Sequence, residues 1–434
     1  MKKGLFIVLI AGLFLFRLFY GLGSEFWLED EKQIYLIGLK SFTTHTWPYY
    51  GPDIVYTSSQ IPGALQGLLI SIPLTLLPIP ESPIIFLNIL SFIALAFFAF
   101  YITKRFPGFP KWLVWVFILT TPWIMRFGPR VVNPSYVLPF SILFFVSFFE
   151  VIALFSKPLL KKGLSFLFMG IATTSIMQLH LSWPLLVPFI IYAFCTNLKP
   201  SLSKLFKYLL YFLSGIIVGA LTLFPTLLKF GLHGGGDAQS NIVFTPDNYK
   251  NLFIVLTRYL SFAAYEIPYM LNGGNMTGWT DFIKAVKWES PFVIFLLIFG
   301  LAQVGFFILS FFLKNENEGW NKIKWLNVFT WLWIFFVFFF SIEGPSSHAF
   351  YIMLPLPFLY SFYCYQPLLK KKKIWITLLK TAAICGLFFH FGLAIYNYPL
   401  NSLYKNRALV QSAIDKKDYT IFGYRRPVKN GQGY

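Results

Sequence analysis

Acidic residues are scarce in this chain. Only 17 Asp and Glu stand against 36 Lys and Arg in 434 residues, and charged residues make up just 12%. Soluble domains carry about 25% charged residues, so composition excludes a water-soluble globular fold. Cysteine is scarce too. Cys195, Cys364 and Cys385 lie within or beside apolar runs, which offers neither a disulfide framework nor metal-ligand spacing. No phosphate-cradling P-loop and no dinucleotide fingerprint occur, so cytosolic nucleotide use is not expected. No repeat of fixed period is evident, which argues against an inverted-repeat transporter. The Lys2-Lys3 start is followed by no small-residue cleavage site, so the first apolar run is expected to be a retained span.

What is present is apolar: 57% hydrophobic residues, 21% aromatic, and a mean hydropathy of +0.64. Helices of about 20 residues cross ~30 Å of hydrocarbon, whereas a β-barrel would show alternating strands of about 10 residues. Spans are expected near 4–22, 83–103, 112–127, 135–156, 164–178, 181–196, 208–229, 290–313, 325–342, 347–363 and 374–397. The fold class is thus an all-α polytopic membrane protein with about eleven transmembrane helices, or twelve if the proline-rich run 61–77 also crosses. With eleven, one side collects Lys2, Lys3, Lys104, Arg105, Lys111, Lys157, Lys161, Lys162, Lys322, Lys324 and the lysines 370–373. The positive-inside rule makes that side cytoplasmic. The formal charge of +19 is then a cytoplasmic collar facing anionic membrane lipids, and no nucleic-acid partner is needed.

The domain organisation is a membrane domain over 1–397 with a first outer loop (23–60) containing interfacial helices. A longer, glycine-flanked outer loop (230–289) is expected to act as a flap, and a short non-cytoplasmic tail occupies 398–434. Against this apolar background Trp27-Leu28-Glu29-Asp30-Glu31 stands out, three consecutive acids where the first span leaves the bilayer. Residues 29–42 can form a helix lying on the membrane. At 100° per residue Leu28, Tyr35, Leu39 and Phe42 share a stripe and Asp30 points the other way. Asp30 is a candidate base toward a membrane-borne substrate, or with Gln33 a helix-capping pair.

Arg126 and Arg130 end the third span on the same side, one turn apart if the helix survives Gly128-Pro129. Paired guanidinium groups can bracket a phosphate. Snorkelling to lipid headgroups is the plainer alternative. Arg17, inside the first span, needs an acid or a lipid phosphate as partner. His180 and His348 fall at turns on Asp30's side, with Tyr351 one turn below His348.

Arg17-Leu18, then Asp30-Glu31 before an amphipathic helix, then Gln60-Ile61-Pro62-Gly63 entering an apolar segment resemble the start of the GT-C membrane glycosyltransferases. The likeness is to the branch of protein O-mannosyltransferases and lipid A aminoarabinose transferases. Gly170 with Leu179-His180-Leu181-Ser182, and His348-Ala349-Phe350-Tyr351 with Pro355, are similar to later family segments. The resemblance implies a glycosyltransferase of the bacterial inner membrane working on the periplasmic face in cell-envelope glycan or lipopolysaccharide biosynthesis. A polyprenyl-phosphate sugar would be the donor and a glycan, lipid or protein the acceptor.

Asp30, with Glu31, would form the catalytic pair and transfer would invert the anomeric carbon. Where the family has Lys or His before Pro-Pro this chain has Gln60-Ile61-Pro62, so the donor phosphate is assigned to Arg126 and Arg130. Gln60, Asn133, His180, His348 and Tyr351 are expected to line the substrate cavity. No metal site is assigned, and a divalent cation is left open as cofactor because family members differ in using one. Two other classes compete. An O-antigen polymerase or ligase would rely on Arg and His in the long outer loop, which has only Arg258 and His233. A lipid-linked sugar flippase would need polar residues along its spans, where Glu150, Lys229 and Lys380 are few.

Overall fold

The computed structural model describes residues 3–24, 29–54, 59–198, 202–231, 246–271, 276–313, 317–341, 344–371, 373–401 and 403–423. The apolar runs become helices, the conformation that satisfies every backbone polar group without water. The chain opens with α1 (Lys3–Ser24) and α2 (Glu29–Thr44), then a hairpin of β1 (Tyr50–Ile54) and β2 (Ser59–Pro62), then α3 (Leu65–Leu76) and α4 (Ser82–Arg105). The middle of the bundle is α5 (Lys111–Thr120), α6 (Pro122–Phe127), α7 (Asn133–Val151), α8 (Lys162–Met177), α9 (Val187–Cys195), α10 (Leu202–Gly219) and α11 (Phe224–Phe230). Then come α12 (Asn251–Ser261), α13 (Met276–Ala285), α14 (Ser290–Ser310), α15 (Trp320–Phe339), α16 (Pro355–Lys371), α17 (Ile374–Asn401) and α18 (Leu403–Asp415).

Among the described residues six helices (α1, α4, α7, α14, α15 and α17) are long and apolar enough to cross a membrane. A seventh is added if α10 and α11, bent by 73°, form one span. The other expected runs are helical but short or interrupted. Proline stands at or just after each restart: Pro122 after Thr121, Pro188 in α9, Pro355 after the 3-10 turn Ser347–Met353. Proline lacks an amide proton and disfavours helix in the residue before it, so the chain re-aims at these points. α7 is buried nearly all round and forms the axis of the bundle.

Besides the helix expected there, the outer loop contains a hairpin: β1 and β2 pair antiparallel, with Asp53 opposite Gln60 and Ile54 opposite Ser59. The run 61–77, which crosses only in the twelve-span alternative, forms a short helix. α3 has 12 residues, about 18 Å at 1.5 Å per residue, and the chain beyond it returns to α2, where the Tyr35 hydroxyl donates to the Pro80 carbonyl at 2.9 Å. Finally, α2 is no half-submerged stripe, because Ile34, Tyr35, Leu36, Ile37 and Leu39 are all buried and together surround the helix.

α3 covers one side of α2 at Gly38, where a Cβ would lie 2.2 Å from the Ile70 Cβ, so only glycine permits that approach. The C-terminal segment covers another side: Tyr419 and Phe422 pack against Leu36 and Ile37. Arg407 grips both oxygens of Glu81 at 2.5 and 3.4 Å, and Gln411 donates to the Pro78 carbonyl at 3.4 Å. Part of the expected flap is also built into the bundle, since Phe262, Ala263, Ala264, Tyr265, Glu266 and Ile267 are buried. Its glycine clusters at 234–236 and 273–274 lie outside the described residues.

Basic groups gather at the end of the bundle away from α2. There Arg105 donates to the Lys157 carbonyl, Lys322 to those of Ile152 and Ala153, and Lys162 to Asn197.

Candidate functional site

At the α2 end the bundle encloses a cavity of about 800 Å³, within the usual range for small-molecule sites. Its wall comes from six places in the chain: the start of α2, the hairpin, the α6–α7 junction, the turn after α8, the end of α15, and the turn containing His348. Asp30 is exposed on this wall and Glu31 is buried in it. Gln33 does not complete a capping pair with Asp30; its Oε1 accepts from the Asp53 amide at 3.3 Å and so ties α2 to the hairpin.

The helix does not survive Gly128-Pro129. α6 stops at Phe127, and the Arg130 amide closes a turn on the Phe127 carbonyl at 3.1 Å. Both arginines nevertheless reach the cavity, held differently. The Arg130 guanidinium forms a buried ion pair with Glu31 Oε1. Arg126 donates to two neutral backbone carbonyls, Tyr269 at 2.9 Å and Met270 at 2.7 Å, and its cation lies over the Trp123 and Phe127 rings. Among the described residues the hydrogen-bond partners of Arg126 are thus uncharged, whereas Arg130 is paired with a carboxyl group. Asn133 and Pro134 bring the amino end of α7 to the same wall, an orientation that favours anions.

Burial pushes the Glu31 carboxyl above the usual carboxylate range, against the opposing pull of Arg130. Its Oε2 is buried without a hydrogen-bond partner among the described residues. His180 and His348 face each other edge to ring, with centroids 6.5 Å apart. His348 lies within electrostatic reach of Asp30, Arg126 and Arg258. Arg258 in turn donates to the Pro345 carbonyl and stacks over Tyr269, linking α12 to the turn that carries His348.

Asp30, Glu31, Arg126, Arg130, Asn133, His180 and His348 thus share one wall, and two expected members do not. Gln60, in β2, is buried and donates to Asp53 Oδ1 at 3.2 Å. Tyr351 is buried below the floor, its hydroxyl on the Trp123 carbonyl at 3.3 Å and its ring against Phe127. Arg17 meets no acid among the described residues. It is 1% exposed and donates to the Leu119 carbonyl, Ser91 Oγ and Met125 Sδ. Its Nη2 would lie 2.6 Å from any Cβ at position 128, so the Gly128 turn rests on this cation.

Asp53 also lines the cavity, a placement the sequence does not reveal because two strands this short give little alternation to detect. Among the described residues no group of three or more His, Cys, Asp and Glu is arranged to hold a metal ion.

No family model and no curated protein matches the sequence. The fold is similar to the crystal structure of ArnT from Cupriavidus metallidurans bound to undecaprenyl phosphate. The TM-score is 0.53 at 9% sequence identity, over 92% of this chain and 78% of that one. The likeness is one of fold. It extends over nearly the whole chain, well beyond the first 200 residues and 340–360 that carry the sequence resemblance.

Proposed function

We propose that the protein is a GT-C-type membrane glycosyltransferase that moves a sugar from a polyprenyl-phosphate donor to an acceptor. The observation that carries this is the cavity itself. An exposed carboxylate, Asp30, and a cation, Arg126, whose hydrogen-bond partners among the described residues are neutral, face one space at the α2 end of a bundle whose fold neighbour was crystallised with undecaprenyl phosphate.

In this reading Asp30 takes the proton from the acceptor hydroxyl or amine. The freed lone pair attacks the anomeric carbon from the face opposite the leaving group, inverting it. The bond from that carbon to the phosphate oxygen breaks, and its electron pair leaves on the polyprenyl phosphate. Arg126 stabilises the charge that develops there, and Arg130, held by Glu31, fixes the second guanidinium beside it. The scheme draws on no cofactor and takes no step through a metal.

Eleven crossings, with the lysine-rich end in the cytoplasm, would place the cavity at the periplasmic face of a bacterial inner membrane. Donor lipid could then enter from the outer leaflet, and the acceptor would be a glycan, lipid or protein of the cell envelope.

The test is transfer by purified protein from a polyprenyl-phosphate sugar. Asp30→Asn should lower the rate by about 10²–10⁴, the range supplied by general bases, while donor binding persists. Transfer at a near-normal rate would remove Asp30 as the base.

A further inference from the structure

The turn after α8 settles which nitrogen of His180 carries a proton. The amides of Leu179 and His180 close back onto the Ile176 carbonyl, both at 2.9 Å, which fixes the backbone. From there the Ser182 amide donates to His180 Nδ1 at 3.1 Å, and Ser182 Oγ lies 2.9 Å from the same nitrogen. A backbone amide can only donate, so Nδ1 must be an acceptor without a proton. In a neutral imidazole the proton is then on Nε2. Burial, helped by His348, pushes the ring's pKa down to about 3, so it stays neutral. With the Nδ1 edge turned to Ser182, the Nε2 edge of a ring that lines the cavity is left for a ligand.

We infer that His180, held as its Nε2–H tautomer by Ser182, donates a hydrogen bond to an uncharged oxygen of the transferred sugar and so helps to select it. This rests on the glycosyl-transfer reading. An uncharged acceptor suits this position because the phosphate has Arg126, whereas His180 has a serine and a second imidazole beside it. A buried donor that must be matched discriminates strongly against a sugar lacking the corresponding hydroxyl.

The experiment compares binding of polyprenyl phosphate with and without its sugar. His180→Asn places its amide near the Nδ1 position and should weaken binding of the sugar-bearing lipid about tenfold. The sugar-free lipid should bind unchanged. His180→Gln, whose amide reaches the Nε2 position, should recover much of the loss. Equal losses for both lipids would make His180 a phosphate contact and overturn the inference.

Nitrogen-15 spectra of histidine-labelled protein read the tautomer without any ligand, the signal absent from His180→Asn supplying the assignment. A protonated Nδ1 would also overturn the inference. A wild-type protein that binds neither lipid would defeat the glycosyl-transfer reading and the sugar contact with it, while the spectrum would still report the tautomer.

Discussion

The two ends of α7 each carry a buried arginine–glutamate pair, and the pairs are satisfied in different ways. At the lysine-rich end both oxygens of Glu150 are used. Oε1 accepts from Arg105 and from the Tyr101 hydroxyl, and Oε2 from the amides of Leu159 and Leu160. Arg105 is also sandwiched between the Tyr101 and Phe155 rings, at 5.0 and 4.5 Å. At the cavity end Glu31 gives one oxygen to Arg130 and keeps the other buried without a hydrogen-bond partner among the described residues. The pair whose carboxylate is fully used locks the turn after α7. The half-satisfied one holds a costly group beside a cavity, and leaving a buried acceptor unmatched costs about 1–3 kcal/mol. Proteins keep such groups mainly where a function uses them.

Removing Arg105 should do the most damage to the fold. Arg105→Met strands Glu150 and its network, and about 3–5 kcal/mol should be lost, read as a lower unfolding temperature in detergent. Arg130→Met should cost clearly less, because Glu31, with its carboxyl already raised by burial, can take up a proton. Equal losses at the two ends would erase the distinction between them.

A smaller effect should appear with pH. The raised Glu31 carboxyl favours the protonated form in the fold. Its contribution to stability is therefore full below the ordinary carboxylate pKa and fades as pH rises through the folded value. Wild-type protein should gain stability relative to Glu31→Gln as pH falls from 7 toward 5. A relative loss would mean that Arg130 governs Glu31 after all.

Least of all should come from Arg407→Ala. That pair with Glu81 is partly exposed, 43% and 22% of the two side chains, and such pairs contribute about 0.2–1 kcal/mol. A drop as large as that at Arg105 would show that the C-terminal segment, rather than α3, holds α2 in place.

Much of the site was legible because charge is rare here. An acid or arginine at the edge of an apolar run stands out, as Asp30, Arg126 and Arg130 do, and His180 and His348 mark turns on the same side. The partners were not legible. Glu31 and Arg130 are 99 residues apart, and nothing local to either names the other. Gln60 and Tyr351 sit at the right depth but are turned away, one hydrogen-bonded to Asp53 and the other under Phe127. Arg17 called for an anion, and the fold answered with a carbonyl, a hydroxyl and a thioether.

By itself the sequence determined the class of the protein, the helical runs and the end of the bundle where charge collects. Those follow from local rules: apolar length against membrane thickness, proline breaks, and the cost of charge in lipid. Tertiary structure decided that α3 lies along α2, that the C-terminal segment covers α2, and that Glu31 holds Arg130 while Arg126 rests on backbone carbonyls. These depend on which side chains meet across long stretches of chain, and packing shape and desolvation are evaluated only once the helices are together.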